Sequence, residues 1–254
     1  SYTTTDVTCF NDTDGQVQFN VVNINPPYTF RVGTAANSTG LFSNLAAGNY
    51  SGVITNGAGC DTTIAFVINT PSALSSTVST QHQVSCFGGT DGVLASTVNG
   101  GTGPYDLIWN DPAVQVSPVV GGLAAGTYEL RVTDTKGCTS IATGVVTQPN
   151  LLIANALPAA TLCNGTATGT LTGSGQGGTA PFSYLWSNGS SGNTVPNVST
   201  GLYLLTITDT NGCTAATDGL VMDAPVLNVA VNGIPTTCSY KNDGRVVTIV
   251  SGGT

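Results

Sequence analysis

Residues 126–138 read Gly-Thr-Tyr-Glu-Leu-Arg-Val-Thr-Asp-Thr-Lys-Gly-Cys, and this stretch decides the fold class. Tyr128, Leu130 and Val132 alternate with polar residues, which is the pattern of a strand that buries one face. The Asp-Thr-Lys-Gly segment that follows suits a hairpin turn whose glycine takes a positive φ. The same pattern returns at 48–60 and at 201–213, so the sequence predicts a repeated β unit.

The cysteines give the length of the repeat. There are seven, and long and short gaps alternate between them: Cys9, Cys60, Cys86, Cys138, Cys163, Cys213 and Cys238. The first cysteines of successive repeats are 77, 77 and 75 residues apart. With Pro71, Pro149 and Pro225 taken as boundaries, we predict repeats at 1–70, 71–148 and 149–224, and the start of a fourth at 225–254.

Each repeat is predicted to be a small immunoglobulin-like β-sandwich, so the chain is all-β. About seven short strands in some 75 residues, separated by Gly, Asn, Asp and Pro turns, are typical of that fold. A Leu-x-x-Gly-x-Tyr run (Val in the third repeat) resembles its tyrosine corner, although these tyrosines are alternatively plain core aromatics. The predicted structural aromatics are Tyr50, Tyr128, Tyr203, Trp109 and Trp186.

The cysteines are predicted to form one disulfide within each repeat. The expected pairs are Cys9–Cys60, Cys86–Cys138 and Cys163–Cys213, and the mate of Cys238 is expected outside the chain. A bridge that closes a loop of about 50 residues stabilises a small domain by roughly 4 kcal/mol. Disulfides persist in oxidising compartments, which favours a secreted protein. Zinc binding is disfavoured because no Cys-x-x-Cys occurs and His82 is the single histidine.

Composition excludes several classes of function. Only 7% of the residues are charged and the net charge is −8, so no nucleic-acid partner is expected. No apolar run is long enough for a membrane span. With one His and one Glu, and no nucleophile elbow, we expect no enzyme and no catalytic residue. No cofactor is expected. Calcium on the aspartate pairs Asp12/Asp14 and Asp106/Asp111 is the less favoured reading, and turn chemistry the favoured one.

The combined pattern resembles the SprB repeat. The second repeat carries it most fully, with Cys86-Phe-Gly-Gly-Thr-Asp-Gly92, Gly100-Gly-Thr-Gly-Pro-Tyr105, Trp109, and Leu123 to Cys138. The first repeat lacks the Trp, and the third has Thr168 in place of the Asp. The resemblance implies a very long cell-surface adhesin of gliding Bacteroidota, secreted by the type 9 system and displayed outside the cell.

The function expected on these grounds is a non-catalytic shaft of a surface adhesin or filament that transmits force in adhesion or gliding. Its expected partners are neighbouring repeats of the same chain, and also surface polysaccharide or other filament chains. A glycan-binding array and a fibre subunit that exchanges strands are the alternatives. Asp61-Thr62-Thr63 resembles a bacterial O-glycosylation signal, so Thr62 is a candidate site and the protein a candidate glycoprotein.

Overall fold

The computed structural model describes residues 1–22 and 25–253, in which every regular element is a β-strand. The first four are β1 (Tyr2–Thr5), β2 (Gly15–Phe19), β3 (Thr29–Val32) and β4 (Ala35–Asn37). They are followed by β5 (Leu41–Leu45), β6 (Gly48–Thr55), β7 (Asp61–Ile68), β8 (Ser75–His82), β9 (Gly92–Asn99), β10 (Tyr105–Trp109) and β11 (Val119–Leu123). The next are β12 (Gly126–Asp134), β13 (Thr139–Val146), β14 (Ile153–Ala159), β15 (Gly169–Gln176) and β16 (Ser183–Trp186). The last are β17 (Thr194–Val198), β18 (Gly201–Thr208), β19 (Thr214–Val221), β20 (Asn228–Ile234) and β21 (Arg245–Ser251). No helix long and apolar enough to cross a membrane occurs among the described residues.

The chain forms two compact units. Unit 1 comprises Ser1–Gln83 and Thr90–Thr147, and unit 2 comprises Val84–Gly89 and Gln148–Thr254. The strands of the three sandwiches fall at 2–68, 75–146 and 153–221. The boundaries predicted at the three prolines lie between these groups of strands.

Unit 1 contains two sandwiches, each made of two antiparallel sheets. In the first, the sheet β1-β2-β5 faces the sheet β4-β3-β6-β7. In the second, the sheet β11-β9-β8 faces the sheet β10-β12-β13. In both, apolar residues at every second position of the facing strands form the core, as the alternating sequence predicts.

Unit 2 contains a third sandwich, in which β14-β15-β17 faces β16-β18-β19, and a separate hairpin of β20 and β21. All seven residues of each hairpin strand are exposed. The hairpin pairs from Ile234 opposite Arg245 to Asn228 opposite Ser251, within one chain. The strand-exchange alternative needs Arg245–Val250 to lack such an intrachain partner, so in that form it is wrong.

The predicted structural aromatics occupy equivalent positions in their sandwiches. Trp109 and Trp186 are each 1% exposed, and their indole N–H groups donate to Ser117 O and Gly192 O at 3.0 and 3.2 Å. The hydroxyls of the three tyrosines each donate to the carbonyl four residues earlier, at 2.9 to 3.0 Å: Tyr50 to Ala46, Tyr128 to Ala124 and Tyr203 to Ser199. This is the hydrogen bond that a tyrosine corner makes.

The first sandwich replaces the missing tryptophan with a phenylalanine from the other sheet. Trp109 is paired with Leu130 across the strands, and Val32, at the equivalent position, is paired with Gly52. The Phe19 ring fills the space, since a Cβ added at Gly52 would lie 2.2 Å from its Cζ. The absence of Trp from this repeat is therefore compensated by a Phe–Gly pair.

Candidate functional site: disulfides that join consecutive repeats

Two kinds of position carry the cysteines. We call Cys9, Cys86, Cys163 and Cys238 loop cysteines, because each lies between the first two strands of a repeat. We call Cys60, Cys138 and Cys213 turn cysteines, because each ends the hairpin turn before the last strand of a repeat.

The two cysteines of one repeat lie at opposite ends of its sandwich. Cys60 immediately precedes β7, whereas Asn69, which follows β7, donates its backbone N–H to Asp6 Oδ1 in the segment that leads to Cys9 (2.8 Å). The eight residues of β7 span roughly 24 Å at ~3.4 Å per residue. A disulfide requires Cα atoms only about 4.4 to 6.8 Å apart, so Cys9 cannot reach Cys60.

The structure instead shows bonds between repeats. Cys9 is bonded to Cys138 and Cys86 to Cys213, both with Cα atoms 5.7 Å apart. The expected pairs Cys9–Cys60, Cys86–Cys138 and Cys163–Cys213 are therefore wrong. In both observed bonds a loop cysteine is joined to the turn cysteine of the following repeat. Within the described part of the chain, the thiols of Cys60, Cys163 and Cys238 are free and exposed.

A buried carboxylate shapes each bonded turn. Asp134 Oδ1 accepts the backbone N–H groups of Lys136 and Cys138, both at 2.9 Å, and Oδ2 accepts that of Thr102 at 2.9 Å. Burial acts to raise the pKa of Asp134, but the hydrogen bonds outweigh it and hold this pKa below its ordinary value. Thr102 belongs to the loop after β9, so one side chain fixes the turn against the sandwich.

The third repeat uses the same carboxylate. Asp209 Oδ1 accepts the N–H groups of Asn211 and Cys213, and Oδ2 accepts that of Thr179, all at 2.9 Å. In the first repeat the neutral Asn56 takes this role, and its Oδ1 accepts the N–H groups of Ala58 and Cys60 at 3.0 Å. The sequence shows this residue as part of the turn, but not that it positions a bonded cysteine.

A second carboxylate holds the residue that precedes the loop cysteine. Asp14, of the Asp-Gly motif, accepts the backbone N–H of Thr8 at 2.9 Å and also the Thr8 hydroxyl. These hydrogen bonds lower the pKa of Asp14 below its ordinary value, and the one from the Thr8 hydroxyl contributes most. Asp243 and Thr237 repeat both contacts beside Cys238. In the third repeat Thr168 Oγ1 accepts the N–H of Leu162 at 2.7 Å, which explains how Thr replaces Asp there.

Polar contacts lie beside both bonds. The Cys138 sulfur lies 3.5 Å from Thr8 O, and a cavity beside the bond is lined by Thr5–Thr8 and Asn69–Pro71 on one side and by Thr102 and Lys136 on the other. At the second bond, the side-chain amide of Asn211 donates to Ser85 O at 2.9 Å. Each disulfide is thus accompanied by polar contacts between the two repeats that it joins.

The remaining predicted sites are mostly residues of turns and strand ends. Asp111 accepts N–H groups of Ala113 and Gln115, at 3.1 and 2.9 Å, and so closes a turn. Asp12 accepts the N–H of Cys9 at 3.1 Å. Thr62 is exposed at the start of β7. No group of three or more His, Cys, Asp and Glu side chains that would hold a metal ion lies within residues 1–22 and 25–253.

Three segments of the chain are similar to a known family. A model of the SprB repeat matches residues 1–37, 78–114 and 161–191. The model is thus detected in three segments, one in each of the three sandwiches. Each matched segment contains a loop cysteine and the strand that follows it, and none extends to a turn cysteine. The resemblance seen in the sequence is confirmed. No curated protein matches the chain.

The solved structures that match the chain include two with Ig domains and a fragment of intimin. The eight N-terminal Ig domains of Down Syndrome Cell Adhesion Molecule match at 10% identity and a TM-score of 0.25, over 90% of this chain and 48% of that one. The mouse nectin-like molecule 4 ectodomain matches at 13% identity and a TM-score of 0.37, over 76% of this chain and 81% of that one. The third match is a C-terminal fragment of intimin in complex with the intimin-binding domain of the translocated intimin receptor. It has 15% identity and a TM-score of 0.29, over 56% of this chain and 59% of that one.

These likenesses concern the fold alone, and the chain spans about half of the DSCAM fragment. The expected all-β, immunoglobulin-like fold is confirmed by the paired sheets and their cores.

Proposed function

We propose that this chain is a non-catalytic structural segment of an extracellular, adhesin-like protein, and that its SprB repeats transmit force along the polypeptide. The observation that carries the proposal is the pattern of the disulfides. Each described bond joins two consecutive repeats, so these repeats are connected covalently by the backbone and again by a disulfide.

The bonds change which residues would bear a load. When both ends of the chain are pulled, the shortest covalent path follows 1–9, crosses to Cys138, runs back to Cys86, crosses to Cys213 and ends at 254. Residues 10–85 and 139–212 lie off this path. The two disulfides would therefore protect most of the first and third sandwiches from complete extension.

The location follows the same chemistry. Disulfides persist outside the reducing cytoplasm, which supports secretion and surface display. Secretion by the type 9 system, a role in gliding and glycosylation at Thr62 belong to this proposal as expectations of the SprB resemblance and of the Asp61-Thr62-Thr63 motif.

Neither tryptophan supports the glycan-binding alternative. Trp109 and Trp186 are 1% exposed, so neither ring can stack on a sugar without unfolding its sandwich. Both instead serve as core residues of the proposed shaft.

Single-molecule stretching of the 254-residue chain tests the proposal. The path through both bonds gives a full extension of about 350 Å, whereas a reduced chain extends to about 860 Å at ~3.4 Å per residue. Reductant should convert the first length into the second. Cys60→Ser is the matched control, and it should leave the extension in oxidising buffer unchanged. Release of the full length without reductant would contradict a load-bearing role for the bonds.

A further inference from the structure

The outer face of the sheet β16-β18-β19, in the third sandwich, carries a group of exposed leucines. Each is 46 to 66% exposed, and we call the group the leucine face: Leu185, Leu202, Leu204 and Leu220. Leu202 is paired directly with Leu220, and Leu204 is paired with Asp218, which also points outward. Neighbouring exposed apolar side chains on one sheet are typical of an interaction surface.

The two other sandwiches carry polar residues at the centre of this face. The equivalents of Leu202 and Leu204 are Asn49 and Ser51 in the first repeat, and Thr127 and Glu129 in the second. Because the same strand positions accept polar side chains there, the fold itself does not require leucine. The leucines of the third repeat therefore need a reason other than the stability of the sandwich.

A second apolar face lies on the β20–β21 hairpin. It consists of one arginine and three aliphatic residues that are 37 to 55% exposed, and we call it the hairpin face: Ile234, Arg245, Val247 and Ile249. Thr97, the equivalent of Ile249 in the second repeat, is exposed on β9, whereas Leu94 on the other side of β9 is buried in the core. By its position in the repeat, the hairpin face is thus an outer face of its sheet.

The two faces carry opposite charges. Asp218 is the charged residue beside the leucines, and Arg245 is the charged residue of the hairpin face. Neither forms an ion pair within residues 1–22 and 25–253. An apolar face with one carboxylate and an apolar face with one guanidinium are complementary both in charge and in hydrophobic character. Since the side chains of both faces are exposed in the single chain, the two faces do not meet within one copy.

We propose that the leucine face of one copy of this chain packs on the hairpin face of a second copy, with Asp218 opposite Arg245. Each copy offers one face of each kind, so the contact is heterologous and can continue to a third copy. The contact uses sheet faces and no cysteine, so it goes beyond the proposed function and leaves the load path through the two disulfides unchanged. Both faces are small, and the association belongs to the weak, transient class of interfaces.

Sedimentation velocity of the 254-residue chain tests the proposal. The free thiols are first capped with iodoacetamide, so that no association through disulfides contributes. The weight-average mass should rise between about 10 μM and about 1 mM, the range in which weak contacts form. Leu204→Ser and Ile249→Thr should each raise the dissociation constant about tenfold or more, because each removes a large apolar side chain from the contact.

Two matched variants control for a general loss of apolar surface. Val145 occupies the position of Leu220 in the second repeat, and Val250 lies on the opposite side of β21 from Ile249. Val145→Thr and Val250→Thr should therefore leave the dissociation constant unchanged. Thermal unfolding of every variant verifies that it is folded, which we expect because Ser51 and Thr97 already occupy the equivalent positions in other repeats.

Reversal of the charges tests the orientation. Asp218→Arg alone and Arg245→Asp alone should each weaken the association, because each places like charges opposite one another. The double variant exchanges the two charges across the contact and should restore it.

Four results would overturn the proposal. The first is a chain that stays monomeric up to about 1 mM. The second is unchanged association in Leu204→Ser. The third is a loss in Val250→Thr as large as in Ile249→Thr, which would assign the contact to the other side of the hairpin. The fourth is a double charge variant that associates no better than either single variant.

Discussion

Cys138→Ser tests the pairing on which the other conclusions depend. The substitution breaks the Cys9–Cys138 bond, which spans 129 residues of sequence. In the chain-entropy model, closing a loop of that length stabilises the folded state by about 5 kcal/mol, slightly more than the ~4 kcal/mol of a 50-residue loop. We therefore expect a loss of up to about 5 kcal/mol in the free energy of unfolding of the tandem of the first two sandwiches.

The matched variant is Cys60→Ser, at the same turn position in the first repeat. Because the Cys60 thiol is free and exposed, we expect a change within about 0.5 kcal/mol, the usual effect of a surface substitution. Guanidinium unfolding, followed by tryptophan and tyrosine fluorescence, measures both variants. Neither substitution removes an aromatic residue, so the optical signals stay comparable.

Thiol titration of the unfolded, unreduced chain supplies an independent readout. The pairing in the structure leaves three free thiols, at Cys60, Cys163 and Cys238. One disulfide within each repeat would leave a single thiol, at Cys238. A count of one, or a Cys60→Ser variant as unstable as Cys138→Ser, would refute the pairing between repeats.

Three further outcomes are expected. Gly52→Leu should destabilise the first sandwich by about 1 to 3 kcal/mol through overpacking, because the added Cβ overlaps the Phe19 ring. Calorimetry of a chain that also carries Phe19→Ser should show partial recovery of the lost stability. Tyr128→Phe should cost about 1 kcal/mol in denaturant unfolding by removing the hydrogen bond to Ala124 O. Asp134 has a lowered pKa in the folded state, so its contribution to stability is complete above the ordinary value of about 4 and is lost as pH falls through the lowered one. Unfolding curves between pH 2 and pH 7 should thus depend less on pH in Asp134→Asn than in the unmodified chain.

Much of the fold was predictable because local patterns carry it. The alternation of Tyr128, Leu130 and Val132 places these side chains on one face, and all three are buried in the structure. The Asp-Thr-Lys-Gly turn forms as predicted, with Gly137 at φ 85°. The compensation of Val32 by Phe19 was not predictable, because it depends on contacts between two sheets rather than on the pattern of either strand.

The prediction of the cysteine pairing was wrong for a different reason, which is whether an odd or an even number of strands separates the two cysteines of a repeat. Each strand crosses the sandwich, so two cysteines share an end only when an even number of crossings separates them. In the first repeat, five strands (β2 to β6) lie between Cys9 and Cys60. In the second only four lie between Cys86 and Cys138, and the irregular segment 110–118 makes the fifth crossing. Nothing in the hydrophobic pattern of that segment marks a crossing, so the sequence could not show at which end each cysteine lies.

The odd parity has a consequence for the whole array. Two cysteines at the same end of a sandwich are able to bond within their own repeat, and with such bonds each repeat remains a separate covalent loop. Two cysteines at opposite ends cannot reach one another, but each can meet a neighbouring repeat. The Asp14–Thr8 and Asp134–Thr102 hydrogen bonds then hold the loop and the turn in the shapes seen in the bonded pair.

The stretches of chain enclosed by the Cys9–Cys138 and Cys86–Cys213 bonds overlap, and residues 86–138 belong to both. When the chain is pulled from its two ends with both bonds intact, these shared residues bear the force. We therefore expect the second sandwich to set the force at which the described chain unfolds. Destabilising its core should lower this force more than an equal change in the core of the first or third sandwich.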